Sequence, residues 1–122
     1  MEQQEINDLK DKGYYIAILD GSKTLDIQSV ISNIAQSFLF PDYYGNNMNA
    51  FRECINDLDW LSQDNYALII TNSDLFMSSD TEDNKQYIIN LMNEVSEEWQ
   101  NVPNFEGEEK FRNKADFKIV YD

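Results

Sequence analysis

The 122-residue sequence contains no histidine, one cysteine, two prolines and four glycines. Without histidine the chain lacks the commonest general acid–base group and the commonest metal ligand, which disfavours most hydrolase mechanisms. A single cysteine cannot form an internal disulfide. No apolar run approaches the ~20 residues that a membrane-spanning helix requires. These absences predict a chain that folds around an apolar core, with no cofactor and no metal.

Basic residues are also scarce, since nine lysines and arginines stand against 23 aspartates and glutamates, a formal net charge of −14. This charge repels phosphate backbones and anionic lipids, so neither nucleic acid nor a membrane is expected as a partner. The negative charge would attract a basic protein. The alternative explanation is that the acidic residues serve only to keep the protein soluble. No leader typical of secretion precedes the first apolar run, and together with the cysteine count this predicts a cytoplasmic protein.

The length and the 42% hydrophobic content predict a single domain over residues 1–122 with one compact core. No surplus apolar stripe is evident in the sequence, so we expect a monomer when the protein is free. Internal repeats and low-complexity tracts are absent as well.

Hydrophobic patterning predicts three strands and three helices. Tyr14–Leu19 is a nearly continuous apolar run, typical of a strand buried on both faces. Apolar residues at helical spacing predict a helix from Asp26 to Leu39. They predict a second helix that is capped by Asn47 or Asn49 and continues through Leu58. The remaining elements are a strand near 66–71, a long helix with an acidic start and an apolar face over 88–99, and a strand at 117–121.

The element order β-α-α-β-α-β predicts an α/β fold with a three-stranded parallel sheet packed with helices. Cys54 lies at helical spacing with Phe51, Ile55 and Leu58, so it is interpreted as a small core residue rather than a nucleophile. Trp99 occupies the inner face of the long helix and is assigned to the core in the same way.

The segment from Phe40 to Phe51, FPDYYGNNMNAF, has the most particular composition in the chain. A helix breaker, a glycine and several asparagines predict a loop with specific backbone requirements, in which Gly45 is expected to adopt a left-handed conformation. Tyr44 and Phe51 are expected to pack inward. Tyr43 and Asn47 are left open between a local structural role and contact with a partner.

This segment resembles the barstar family, inhibitors of barnase-type ribonucleases, whose signature is Pro-x-Tyr-Tyr-Gly-x-Asn followed by a helix with an apolar and then acidic pattern. The similarity extends from about Tyr14 to Tyr121, and the element order agrees with the family's. The resemblance implies a barstar-like fold. It also implies a protein inhibitor, not an enzyme, that occludes the active site of a basic ribonuclease toxin, as an immunity or antitoxin protein does.

The resemblance further implies which residues bind the partner. Glu53 falls at the position of the family's central aspartate, and Arg52 replaces the helix tryptophan. Because an arginine within an acidic surface opposes a cationic active site, the target is expected to be a relative of barnase, or another toxin with an acidic spot opposite Arg52. The implied partner-binding residues are Tyr43, Gly45, Asn47, Asn49, Arg52, Glu53 and Gln86, with Asp83 one turn before Gln86.

Two rival functions are considered. An acidic interaction module that binds a basic, non-nuclease partner would use the same surface. An enzyme would need paired carboxylates such as Asp57 and Asp59, but residues two apart on a helix point in different directions. Asp80, Glu82 and Asp83 lack the glycine and distant glutamate of a calcium loop and are interpreted as a helix start.

Two further features remain undecided in the sequence. Trp60 either lines the edge of an interface or closes the core beneath the second helix. The stretch Asn101–Asn113 is expected to be a solvated surface excursion, although contact with the partner is an alternative. Its aromatic and acidic residues are Phe105, Glu106, Glu108 and Glu109.

Overall fold

A computed structural model describes residues 2–42, 44, 45, 47–101 and 114–122. A short 3-10 turn, Gly21–Lys23, follows the first strand. Within the described residues the elements are α1 (Gln3–Asp11), β1 (Tyr14–Asp20), α2 (Ile27–Ser37), α3 (Met48–Ile55), β2 (Asn65–Thr71), α4 (Glu82–Gln100) and β3 (Phe117–Tyr121). From β1 onward, the predicted order β-α-α-β-α-β is confirmed. The excursion predicted at Asn101–Asn113 falls, after Asn101, outside the described residues.

The sheet is parallel, with β2 between β1 and β3, which confirms the predicted three-stranded parallel architecture. Both crossovers step in the same direction across the sheet, so right-handed connections place α2, α3 and α4 on one face. Ala17, Leu68 and Ile119 are register partners on that face. All three belong to, or pack against, the main core cluster, which therefore lies between the sheet and these helices.

The prediction that β1 is buried on both faces is wrong at Ile18, whose side chain is 51% exposed. β1 is an edge strand, and Ile18 points to the face that the crossover helices leave uncovered. The central strand β2, in contrast, is buried from Tyr66 to Ile70. The continuous apolar run of β1 therefore fits an edge strand that is only partly covered on its second face.

The first helix, α1, was not predicted, because this segment carries too few apolar residues to show a helical period. Its N-terminus is held by the Glu5 side chain, which accepts a hydrogen bond from the backbone N–H of Glu2 at 3.4 Å. Leu9 is its only buried residue. The helix packs against β1 and turns into it through Gly13, whose φ of 89° lies in the left-handed region.

The helices α2 and α3 each end before the predicted residue. Leu39 has a φ of 57°, and the backbone N–H of Phe40 donates to the carbonyl of Ala35 at 2.9 Å, which closes α2 with a left-handed cap. Leu58, at φ 53°, is fully buried below the end of α3. Leu39 is 61% exposed, so the hydrogen bond of the cap holds its backbone, whereas burial of the Leu58 side chain offsets a conformation that non-glycine residues rarely adopt.

A polar cluster ties together the amino-terminal ends of the strands. The Tyr14 hydroxyl donates to the carboxylate of Asp116, whose backbone N–H donates to the Asn65 side chain at 2.9 Å. Lys118 lies 3.4 Å from the same carboxylate. Burial, followed by the hydrogen bond and the negative charge of Asp116, raises the pKa of Tyr14 to about 12.

We predict that Tyr14 makes stability depend on alkaline pH. The unfolded chain releases this proton near pH 10.0 and the folded protein near 12, so the stabilisation is complete below pH 10 and is lost as the pH rises towards 12. Tyr14→Phe should cost about 1 kcal/mol of unfolding free energy at pH 8. Urea denaturation should show this difference shrinking above pH 10, and a constant difference would contradict the assignment.

A second prediction concerns Gly21, where the chain leaves β1 against the end of β2. A Cβ atom there would lie 2.2 Å from the carbonyl oxygen of Asn72, so backbone would have to move. Gly21→Ala should cost about 3 kcal/mol or more of unfolding free energy. Gly13→Ala, which meets no atom within 4 Å, is the control and should cost about 1 kcal/mol through its positive φ alone. Equal losses would contradict the predicted clash.

Candidate protein-binding site

The loop between α2 and α3 is anchored by a cluster of aromatic rings. The ring centroid of Phe40 lies 5.1 Å from Tyr44, 5.9 Å from Trp60 and 6.0 Å from Phe51. The Trp60 indole N–H donates to the Phe38 carbonyl at 2.8 Å. Phe51 is fully buried and Tyr44 half-buried, as predicted, and Trp60 packs against the core. These contacts hold the loop and the start of α3 against the core.

Asn47 begins α3 as its N-cap. Its side-chain oxygen accepts from the Ala50 backbone N–H at 2.9 Å, and its amide donates to the Gly45 carbonyl at 3.4 Å. The prediction of a left-handed Gly45 is wrong, because the Asn47 side chain closes this turn without a positive φ. Gly45 and Asn47 are both exposed, and Tyr43 lies outside the described residues. Asn47 thus has a local structural role that leaves it accessible.

The inner face of α3 is buried throughout. Phe51 and Ile55 have no exposed surface and Cys54 is 4% exposed, which confirms the core assignment of the cysteine. Burial raises the pKa of the Cys54 thiol, and the charges of Asp57 and Glu53 raise it further. The Trp99 indole, buried as predicted, donates to the Ile55 carbonyl at 3.0 Å. This bond attaches the end of α3 to α4.

The outer face of α3 carries polar residues one turn apart. Asn49 and Glu53 are both exposed, and Asp57 follows four residues later in the turn after the helix. Side chains at this spacing lie on the same side of a helix. We call this row, Asn49, Glu53 and Asp57, the α3 stripe. Glu53 therefore presents its carboxylate to solvent in the middle of the stripe.

Arg52 does not project freely from this surface but folds onto α4. Its Nη2 donates to the Tyr87 hydroxyl at 2.8 Å, and its guanidinium carbon lies 5.8 Å from the centre of the Tyr87 ring. The hydrogen bond to Tyr87 is the largest cause that raises the pKa of Arg52, and the charges of Glu94 and Glu98 add to it. The cation is thus surrounded by groups of its own chain.

The acids that α4 brings close to α3 are Glu94 and Glu98. Gln86, which the sequence assigned to the partner-binding set, is exposed, and its amide donates to Asn90 of the same helix at 2.9 Å. Its contacts within the described residues do not reach α3. Tyr87, Glu94 and Glu98 are seven and four residues apart, a spacing that places them on one side of α4. Their spacing in the sequence could therefore have identified these three residues as neighbours on α4.

The acidic segment before α4 serves as a helix start, as predicted. The Thr81 side chain caps α4, whose first turn carries Glu82 and Asp83, and acids there complement the helix dipole. The Asp80 carboxylate accepts from the Ile27 backbone N–H at 2.9 Å, so the same residue holds the first turn of α2. This segment thus fixes the beginnings of two helices that pack on the sheet.

Two other kinds of site are missing from the described part of the chain. It contains no group of three or more acidic, cysteine or histidine side chains arranged to hold a metal ion. Asp57 and Asp59, the pair that an enzyme would use, have no third ligand there. Nor does any described helix have the length and apolar character needed to cross a membrane.

The structure is a small α/β fold with the acidic side chain of Glu53 on the exposed face of α3. The family of Barstar (barnase inhibitor) matches residues 14–121, which is nearly all of the chain after α1. The chain therefore belongs to the barstar family, as its sequence signature suggested. The members of this family are inhibitors rather than enzymes. No sequence among curated proteins matches the chain.

We predict that Arg52 and Tyr87 stabilise each other. Tyr87→Phe removes the hydroxyl that Arg52 binds and should cost about 1 kcal/mol of unfolding free energy. In a double-mutant cycle with Arg52→Ala, measured by urea denaturation, the coupling should be about 0.5–1 kcal/mol. Additive losses would mean that the contact between α3 and α4 is not formed in solution.

Proposed function

We propose that the chain inhibits a basic ribonuclease by placing α3 and the loop before it in the enzyme's active site. Membership of the barstar family supports an inhibitor of this type. One observation identifies the proposed contact site on this chain. Glu53 is exposed at the centre of the α3 stripe, on a helix whose opposite face is buried. Its carboxylate would stand where the substrate phosphate lies.

The charge around Glu53 suits a cationic cleft. Glu94 and Glu98 act on the guanidinium of Arg52, and Glu53 is exposed on the same helix as Arg52. This part of the surface therefore carries three carboxylates against one cation, a formal net charge of −2. Because Arg52 is bound to Tyr87 and offset by nearby acids, it opposes a positive partner less than a free arginine would. The overall charge of −14 would speed encounter with a basic enzyme at low salt.

The proposed partner is a cognate ribonuclease, or another basic toxin protein, that the same cell produces. The chain would act as its immunity protein in the cytoplasm, as a monomer when free, by steric and electrostatic occlusion without chemistry. We place Gly45, Asn47, Asn49, Arg52 and Glu53 at the interface, together with the loop residue Tyr43. Gln86 would lie at its margin, beyond the acids of α4.

The test is inhibition of RNA cleavage by barnase, and by a basic ribonuclease encoded beside this chain. Glu53→Gln should weaken inhibition of the responsive enzyme about tenfold or more, because a contacting basic group loses its charged partner. Glu5→Gln in α1 is the matched control, since it removes the same charge far from α3 and keeps a capping side chain. It should leave inhibition nearly unchanged.

Two results would count against the proposal. Equal effects of Glu53→Gln and Glu5→Gln would show that only net charge matters and that α3 is not the contact. Undiminished RNA cleavage by both enzymes at saturating protein would reject the ribonuclease target. That result would instead favour an acidic module that binds a basic partner of another kind.

A further inference from the structure

A cavity of about 430 Å³ opens where α3 ends, between the turn after α3, the end of α4 and the residues before β3. Its walls hold three carboxylates and one ammonium group, a formal net charge of −2. They also hold two aromatic side chains. The residues that define it are Asp57, Asp59, Asp64, Tyr66, Trp99 and Lys114. We call it the α3 end cavity.

The floor of this cavity is formed in part by Tyr66, a buried side chain whose hydroxyl has no hydrogen-bond partner among the described residues. Tyr66 is only 6% exposed, with its ring 5.2 Å from that of Trp99 and 5.9 Å from that of Phe117. Its hydroxyl is not fully enclosed and forms no hydrogen bond with a described residue, so this oxygen can bind a molecule that enters the cavity. Burial, followed by the charges of Asp64 and Asp57, raises its pKa. The hydroxyl thus stays protonated beside two acids.

The cavity is continuous with the α3 stripe. Asp57 is the last residue of the stripe and also lines the cavity, four positions beyond Glu53. The helix dipole of α3 directs its negative end to the same place. Asp59 and Asp64 are exposed, so their carboxylates are accessible from the side that faces solvent. A molecule bound across the stripe would meet this cavity at its edge.

We propose that the α3 end cavity receives an arginine side chain of the protein that this chain inhibits, an inference that rests on the proposed function. A guanidinium group donates several hydrogen bonds in one plane and stacks on aromatic rings. Asp59 and Asp64 would accept its N–H groups, and the Tyr66 hydroxyl oxygen would accept another. Lys114 at the wall would compete for the same carboxylates, so the incoming group must bind them better than one ammonium does.

The test uses a small probe and no ribonuclease. N-acetyl-arginine amide is titrated into the full-length protein, with the neutral isostere N-acetyl-citrulline amide as the reference. Binding is followed by NMR at the two indole N–H groups. Trp99 lines the cavity, whereas the Trp60 indole N–H is bound to the Phe38 carbonyl outside it. The arginine probe should shift the Trp99 signal more than that of Trp60, and the citrulline probe should shift neither.

Matched variants then locate the binding. Asp59→Asn with Asp64→Asn should weaken arginine binding about fivefold, the order expected for two partly screened carboxylates. Glu82→Gln with Asp83→Asn removes the same amount of charge at the start of α4. This double variant should change the affinity for the arginine probe less than twofold. Tyr66→Phe deletes only the hydroxyl and should weaken binding about threefold, with no change of charge.

Several results would overturn the inference: equal shifts from the citrulline probe, equal shifts of both tryptophans, or equal losses in the two double variants. Because no ribonuclease is present, these results bear on the cavity alone. Inhibition that persists without arginine binding would leave the proposed function standing. Arginine binding without inhibition of any ribonuclease would instead reject the proposed function and keep the cavity as a cation site.

Discussion

The exposed face of α3 depends on the complete burial of its other face. Eight residues are too few for a helix to be stable by itself in water, so its structure comes from tertiary packing. Phe51 and Ile55 supply that packing from within the helix, and the Trp99 indole of α4 donates to the carbonyl of its last residue, Ile55. At the other end, the Asn47 side chain caps it. A short helix is thereby held rigidly enough to present charge in a fixed position.

The direction of the two crossovers decides which residues can reach this helix. With β2 in the centre and both connections on the same face, α3 and α4 become neighbours and α1 is left to pack against β1. Two contacts join α3 and α4: the polar pair Arg52 and Tyr87 at the surface, and the hydrogen bond from Trp99 to the Ile55 carbonyl in the interior. The same arrangement brings two acids of α4, Glu94 and Glu98, close to Arg52 of α3, although these residues are far apart in the chain.

Much of the fold could be predicted from the sequence, because apolar spacing marks β2, the inner faces of α2 to α4, and the buried residues Cys54 and Trp99. The sequence-based predictions that were wrong concerned features that depend on tertiary structure. Left-handed backbone was expected at Gly45 but occurs at Leu39, where the backbone hydrogen bond of the α2 cap holds it, and at Leu58, where burial of the side chain does.

The candidate site was predicted in part, for related reasons. Glu53 and Asn49 lie on the accessible face of α3, because the position of Phe51 fixes how that helix is turned. The rotation of α4 about its axis is set by packing against the sheet, so Glu94 and Glu98 were not singled out. Likewise, the edge position that exposes Ile18 follows from strand order, which local patterns do not encode.

The division of α3 into a buried and an accessible face separates the residues that the fold needs from those that stay accessible, within eight residues. Substitution at Phe51 or Ile55 would disturb the core, whereas Asn49 and Glu53 make no core contact. The exposed residues of this helix are therefore free to vary with little effect on stability. Under the proposed function, a scaffold of this kind is suited to diversification, because a change of target would require new side chains on one exposed row and no new backbone.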